Sequence, residues 1–327
     1  MTILVTGAAG FIGFHTAEAL LARGDAVIGI DDLNPYYDVR LKEARLARLA
    51  ARPGFSFHRV DIADRAAVEG VLERHNTVTR IVHLAAQAGV RHSLVDPYSY
   101  VRSNLMGQVV LLESARRLGR LAHFVYASSS SVYGANRKLP FALDDRTDQP
   151  MSLYGATKKA DELIVQSYCH LFRLPSTGLR FFTVYGPWGR PDMAAYLFTE
   201  AILNDKPIRL FNAGQMRRDF TYIDDIVQGI VAALDRPPAD GGPDAPPHRI
   251  YNLGNHRAEE LRDFIAAIER ATNAKARIIE EPMQPGDVRE TLADISASQR
   301  DLGFHPRTSI DVGVPSFVAW YRTFHGV

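Results

Sequence analysis

A glycine-spaced turn, Gly7-Ala8-Ala9-Gly10-Phe11-Ile12-Gly13, separates a strand-like run at residues 3–6 from a helical stretch at residues 11–22. Glycine in such a turn lets backbone amides approach an anion at the helix N-terminus, where the dipole favours negative charge. The spacing is Gly-x-x-Gly-x-x-Gly rather than the commoner Gly-x-Gly-x-x-Gly, so in isolation it could be only a tight turn. The rest of the N-terminal half gives it weight. Further strand-like runs stand at residues 27–30, 55–60, 81–84, 123–127 and 176–180, with helical patterns between them. Strands alternating with helices imply right-handed crossovers and a parallel sheet covered on both faces. The unbroken apolar run at residues 26–30 suits a strand buried on both sides.

The expected fold is therefore α/β: a Rossmann-type doubly wound parallel sheet with a smaller α/β C-terminal lobe for substrate. After about residue 180 the rhythm changes to irregularly spaced elements, with strands at 208–211 and 277–279 and a helix at 261–272. A helix at 224–234 and a strand at 250–253 could rejoin the first sheet, and the Pro/Gly/Asp-rich stretch 236–247 between them reads as an exposed loop. The expected division is residues 1–180 plus about 224–255 for the nucleotide-binding domain, and about 181–223 and 256–327 for the substrate lobe. A chain of 327 residues is long enough for two such parts.

Net charge is +1, so a polyanionic partner such as nucleic acid or an anionic membrane surface is not expected. The single cysteine, Cys169, rules out an internal disulfide and fits a reducing, cytoplasmic setting. The chain opens without a signal-peptide pattern, and no run approaches the roughly 18 apolar residues that span a bilayer. His83, His92 and His170 form no close set with ligand spacing, so no catalytic metal is expected.

Asp31 and Asp32 end the second strand, where a carboxylate accepts from ribose hydroxyls and repels a 2′-phosphate, favouring NAD over NADP. Either could instead cap a turn. Asp61 and Ile62, after the third strand, could meet the adenine edge. Ser128 to Ser131 follow the fifth strand, Asn104 lies on an earlier helix, and Tyr154-Gly155-Ala156-Thr157-Lys158 opens another. Tyr and Lys at i and i+4 share a helical face. The ammonium, and a positively charged nicotinamide, bias the phenol toward phenolate, which can take a proton from a carbinol as hydride leaves. A lone Tyr-x-x-x-Lys is more often a surface helix; behind a phosphate turn and a serine run that reading weakens.

In motif order, over essentially the whole chain, the sequence resembles the extended short-chain dehydrogenase/reductases that act on nucleotide sugars. Within them it most resembles the UDP-glucuronate 4-epimerases. The segments Arg180-Phe181-Phe182-Thr183-Val184-Tyr185-Gly186-Pro187-Trp188-Gly189-Arg190-Pro191-Asp192-Met193 and His83-Leu84-Ala85-Ala86-Gln87-Ala88-Gly89-Val90-Arg91 carry that likeness. Relatives using neutral UDP-glucose usually have Asn where Thr183 stands and lack the following Arg-Pro-Asp. The resemblance implies Ser129 as the catalytic hydroxyl, Tyr154 as base and then acid, and Lys158 on the nicotinamide ribose. It also implies a cofactor wall of Gly7, Gly10, Phe11, Ile12, Gly13, Leu84, Ala85, Ala86, Asn104, Ser128 and Phe181.

Dehydratases that resemble this chain carry an Asp-Glu pair where Ser130 and Ser131 stand, and uronate decarboxylases usually carry Glu at the position of Ser131. Two serines leave inversion at C4, through a 4-keto sugar that returns its other face to the hydride, as the implied reaction. Ser130, Thr183 and Arg190 are expected to hold the sugar carboxylate; Arg190 could alternatively form only a loop salt bridge. At the nucleotide end the resemblance implies Arg218, Asp287 and Arg289. Phe211 either stacks on uracil or belongs to the core, and Arg91 either reaches the diphosphate or caps a helix. A homodimer through the helices bearing Asn104 and Tyr154 is also implied. Rival readings are a UDP-glucose 4-epimerase, a UDP-glucuronate decarboxylase and a nonenzymatic NAD-sensing scaffold.

Overall fold

The computed structural model describes residues 1–283 and 288–327. Strand β1 (Thr2–Thr6) passes through the glycine turn into α1 (Phe11–Ala22). The alternation continues with β2 (Ala26–Asp31), α2 (Val39–Ala50), β3 (Phe55–Arg59), α3 (Arg65–Arg74) and β4 (Arg80–His83). A helical turn, α4 (Pro97–Tyr100), runs through a π-helical stretch, Val101–Met106, into α5 (Gly107–Arg117). Then come β5 (His123–Ser129), α6 (Leu153–Phe172) and β6 (Ser176–Phe181).

The chain next builds β7 (Thr183–Tyr185), α7 (Ala194–Leu203), β8 (Pro207–Phe211) and β9 (Arg217–Tyr222). It returns through α8 (Ile223–Leu234) and β10 (His248–Leu253). It ends with β11 (Ala258–Glu260), α9 (Leu261–Thr272), β12 (Arg277–Glu281), α10 (Ser296–Leu302) and α11 (Ile310–His325).

The large sheet has the order β10-β6-β5-β4-β1-β2-β3, parallel throughout. This is the doubly wound Rossmann-type sheet expected from the alternation. Side-chain alternation builds two cores: Ile3, Val5 and Val27 face one way and Leu4, Ile28 and Ile30 the other. Helices α1, α2 and α8 cover the first face and α3, α5 and α6 the second. From β1 the chain winds outward to β3, then from β4 outward to β10. The strand order therefore reverses between β1 and β4, and a crevice opens beyond their carboxyl ends, where doubly wound sheets bind ligands.

As the patterning anticipated, β10 rejoins the sheet, with Tyr251 opposite Leu179; strands β8 and β12 form at the expected places, and the structure adds that they pair in parallel, Ile208 against Ile278. The three-stranded sheet β11-β9-β7 was not anticipated. Strand β9 opens with two arginines and an aspartate, which hides its strand character, and only Phe220 and Tyr222 mark its buried side. The first core runs unbroken from Phe14 and Leu179 into Phe264 and Phe317. The second lobe thus packs on the same apolar mass that supports α1.

Candidate active site

The glycine turn is held by backbone contacts that leave no room for a side chain. Gly7 has φ +70°, donates its N–H to Ile30 O at 2.8 Å, and would place a Cβ 2.8 Å from Ala85 N. At Gly13 a Cβ would fall 2.0 Å from Gly7 O, so α1 abuts the turn it follows. No side chain caps α1 and no acid stands in its first turn, so its first amides face the crevice available to an anion. Asp31 braces this turn: Oδ2 accepts from Ala9 N (3.1 Å) and Oδ1 from Leu33 N (2.9 Å). Burial pushes its carboxyl above the ordinary range, against the pull of Lys42. Asp32 accepts from Asn34 N at 2.8 Å, and Asp61 takes Arg102 at 2.7 Å on its outer oxygen.

One cleft is lined by Gly7, Gly10, Phe11, Ile12, Gly13, Asp31, Asp32, Asp61, Ile62, Leu84, Ala85, Ala86, Ser128, Ser129, Ser130, Tyr154, Lys158, Phe181, Thr183 and Arg190. An uncapped helix start beside two strand-end carboxylates fits a dinucleotide. Asn104 does not line this cleft; its neighbour Ser103 does. The buried Asn104 carboxamide accepts from Gln87 N (2.8 Å) and donates to Gln87 O (3.1 Å) and Thr157 Oγ1 (3.0 Å). It braces the loop after β4 against α6 from behind the wall.

Tyr154 stands in the first turn of α6 because Ser152 caps that helix, accepting from Gly155 N at 3.1 Å. Lys158, one turn on and 2% exposed, donates to Ala127 O (3.0 Å) and Asp161 Oδ2 (3.1 Å). Ser129 accepts from Ser131 N at 3.1 Å, which fixes its hydroxyl at the end of β5. Ser128 turns inward and donates to Glu162 Oε1 (2.7 Å); Arg180 grips the same carboxylate from the sheet at 2.8 and 2.9 Å. That buried pair, with Tyr133 donating to Asn252 Oδ1 (2.8 Å), is the floor under the serine run.

Arg190 gives Nε and Nη2 to Asp192, at 3.0 and 2.5 Å, and Tyr36 donates to the same carboxylate at 2.9 Å. Burial raises the Asp192 carboxyl, but Arg190 and the Tyr36 hydroxyl outweigh it and hold it below the ordinary range. Tyr36, pushed up to about 12 by burial and by Asp192, stays a phenol. The loop salt bridge considered for Arg190 exists, and the arginine lines the cleft as well. Phe211 lies outside the cleft lining, with the Arg91 guanidinium 4.5 Å above its ring. Arg218 donates to Arg289 O at 3.1 Å, which brings these two expected phosphate ligands onto neighbouring segments. Asp287 lies outside the described residues.

Several cleft residues carried no motif in the sequence. Tyr36 and Lys42 enter from the segment after β2; Asp192, which holds Arg190 without itself lining the cleft, sits two residues past it, inside a segment already singled out. Arg45 is fully buried and donates to Ala9 O (2.8 Å), Tyr37 Oη (2.8 Å) and Trp188 O (2.5 Å). Nothing in a helical repeat distinguishes it from a surface arginine. Among the described residues no group of three or more His, Cys, Asp or Glu side chains could hold a metal ion, and no helix is long and apolar enough to cross a membrane.

A parallel sheet with a glycine turn and a serine–tyrosine–lysine set at its carboxyl edge defines a Rossmann-type fold of the dinucleotide-binding class. Residues 3–254 match the model of the NAD dependent epimerase/dehydratase family; the chain belongs to that family, and NAD is its cofactor. It is 46% identical to a probable UDP-glucuronate 4-epimerase of Rhizobium meliloti (strain 1021), over 98% of this chain and 97% of the relative. It superposes with a TM-score of 0.91 on the UDP-glucuronic acid 4-epimerase of Bacillus cereus in complex with UDP-glucuronic acid and NAD, at 35% identity over 99% and 100% of the two chains. The UDP-glucose 4-epimerase of Thermotoga maritima with UDP-glucose gives 0.88, at 29% identity and the same coverage.

Proposed function

We propose that this chain inverts C4 of UDP-glucuronate, giving UDP-galacturonate reversibly through a 4-keto sugar. The observation that carries this reading is the composition of the cleft around Tyr154: Ser129, Ser130, Ser131, Thr183 and Arg190 line it there. The lining carboxylates stand at or just past strand ends on the cofactor side: Asp31 ends β2, Asp32 follows it, and Asp61 comes after β3. Elimination of water needs an added acid and base at the sugar, and these walls offer hydroxyls and a guanidinium.

The residues of the glycine turn and of the strand ends, Gly7, Gly10, Gly13, Asp31 and Asp32, would hold NAD, which would supply the hydride acceptor and donor for C4. Tyr154 Oη takes the C4 hydroxyl proton and later restores it, while Ser129 Oγ holds the same oxygen in line. Lys158 keeps a positive charge at the wall of the cleft, which favours the phenolate. Ser130, Thr183 and Arg190 receive the C5 carboxylate and keep the C5–carboxylate bond away from the perpendicular geometry that would expel carbon dioxide. Arg190 is suited to this because Asp192 already fixes the plane of its guanidinium. Arg91, Arg218, Arg289 and Asp287 take the nucleotide, with Phe211 at the uracil, and the segments 181–223 and 256–327 form this lobe.

A homodimer in the cytoplasm is part of the proposal. Tyr98 (83% exposed) on α4 and Val95 (78%) just before it, with Leu163, Leu171 and Phe172 on α6, support the dimer, and the single, buried Cys169 fits the location. Light scattering on the purified chain gives twice the chain mass if the dimer is correct. Incubation with NAD and UDP-glucuronate, read by proton NMR, tests the activity: UDP-galacturonate is expected. UDP-xylose as the main product, or turnover of UDP-glucose alone, overturns the reading.

A further inference from the structure

Beside the catalytic lysine lies a carboxylate with no part in the proton and hydride transfers at C4. Asp161 is 0% exposed, one turn along α6 from Lys158, and its Oδ2 lies 3.1 Å from Nζ. Its other oxygen, Oδ1, is buried without a hydrogen-bond partner. Packing gives no reason for such a group. A buried ion pair seldom repays its desolvation, and a half-satisfied carboxylate adds a further penalty. Burial pushes the Asp161 carboxyl up to about 6, partly offset by Lys158.

The neighbouring charges are already balanced elsewhere. Glu162, next on α6, is bound by Arg180 from β6, by Ser128 and by Lys159. From β4, His83 is buried, pushed down to about 3, and bonded to Thr6 Oγ1 at 2.7 Å, so it is neutral. From β5, Tyr126 bonds His248 Nε2 at 2.9 Å, and burial raises its phenol further. On α6 itself, burial pushes the Cys169 thiol up to about 11, leaving it uncharged, and Tyr154 is the group being served. Asn104, from the π-helical stretch, meets α6 through Thr157. Among the described residues, Asp161 is the anion paired with the Lys158 ammonium.

We propose that Asp161 is a positioning residue: it anchors the Lys158 ammonium between Ala127 O and the cleft and offsets part of its charge, so setting the pH above which Tyr154 acts as base. This rests on the proposed roles of Tyr154 and Lys158. An ammonium with two of its three donors committed, to Ala127 O and Asp161 Oδ2, directs the third at the cleft that Lys158 lines. Removing the negative charge while keeping an acceptor leaves a stronger uncompensated cation beside the phenol.

The test is Asp161→Asn in the NAD-loaded enzyme. The acid limb of kcat is expected to move to lower pH by about one unit, with kcat at the optimum down about tenfold and KM for UDP-glucuronate within about twofold of wild type. The ultraviolet difference signal of tyrosinate, with Tyr154→Phe as the blank, should move in the same direction. That readout needs no turnover, so it separates failure of this inference from failure of the proposed reaction. An unmoved limb and tyrosinate titration, or movement to higher pH, overturns the inference. Asp161→Glu keeps the charge and displaces the anchor, so it should hold the wild-type limb and lose kcat. If Asn does not fold, Glu with a shifted limb or an unchanged kcat is equally decisive against it.

Discussion

Arg190 meets the cleft with two of its five N–H donors already spent on Asp192, and Tyr36 donates to the same carboxylate. This arrangement lowers the entropic cost of receiving a ligand carboxylate, since the guanidinium plane is set before binding. Asp192→Asn should therefore raise KM for UDP-glucuronate by about tenfold while leaving any turnover of UDP-glucose near its starting level. Arg190→Ala should do the same more strongly and release more UDP-pentose, measured by chromatography of the products. Unchanged KM and by-product in both variants would remove the carboxylate assignment. Tyr154→Phe should cut kcat by about a thousandfold with NAD still bound, read by steady-state assay and by release of cofactor on denaturation. The Tyr-Lys spacing was legible because it is local; the Asp192–Tyr36 contact, 156 residues apart, was not.

At the scale of elements, α2 has a role that its amphipathic pattern conceals. Its buried Arg45 crosses to Ala9 in the glycine turn and to Trp188 in the segment that leads to Arg190, and it donates there to neutral oxygens. Burial lowers the pKa of that guanidinium, so the cation persists at the expense of folding stability. One side chain thereby fixes the glycine turn relative to the segment that leads to Arg190. Arg45→Leu should destabilise the fold by roughly 3 kcal/mol, leaving backbone carbonyls unmatched. It should also weaken both NAD and UDP-glucuronate binding. Chemical denaturation and calorimetric titration check the two parts; a loss of stability with both affinities intact would confine Arg45 to packing. Asn104 is a second such brace, and the π-helical stretch that carries it is invisible to a 3.6-residue pattern.

Across the whole molecule, three histidines are buried, His83, His123 and His248, and His15 is half-buried: His15, His123 and His248 are pushed down to about 4 and His83 to about 3, chiefly by loss of solvent. Their folded values lie below the unfolded imidazole value of about 6.5. Stability from this source is thus complete above about pH 6.5 and drains as pH falls toward about 4, because the unfolded chain binds the protons more readily. Melting temperature should hold from neutral pH down to about 6.5 and then fall steeply. A flat profile across that window, followed by circular dichroism, would show that these imidazoles gain their protons without unfolding.

Sequence by itself determined the large sheet, the glycine turn at its centre and the position of Tyr154 and Lys158, since each depends on residues within a turn or two of one another. Apolar runs and helical periods are local signals of which face is buried. The tertiary structure alone decided that β7, β9 and β11 form a second sheet, and that Asn104 stands behind the cleft wall. It also decided that Tyr36 meets Asp192 and that Arg45 ties two loops. These follow from contacts between segments far apart in the chain, where burial and charge pairing override local pattern. Asp161 belongs to both: its spacing from Lys158 is plain in the sequence, while its complete burial is a product of the packing around α6.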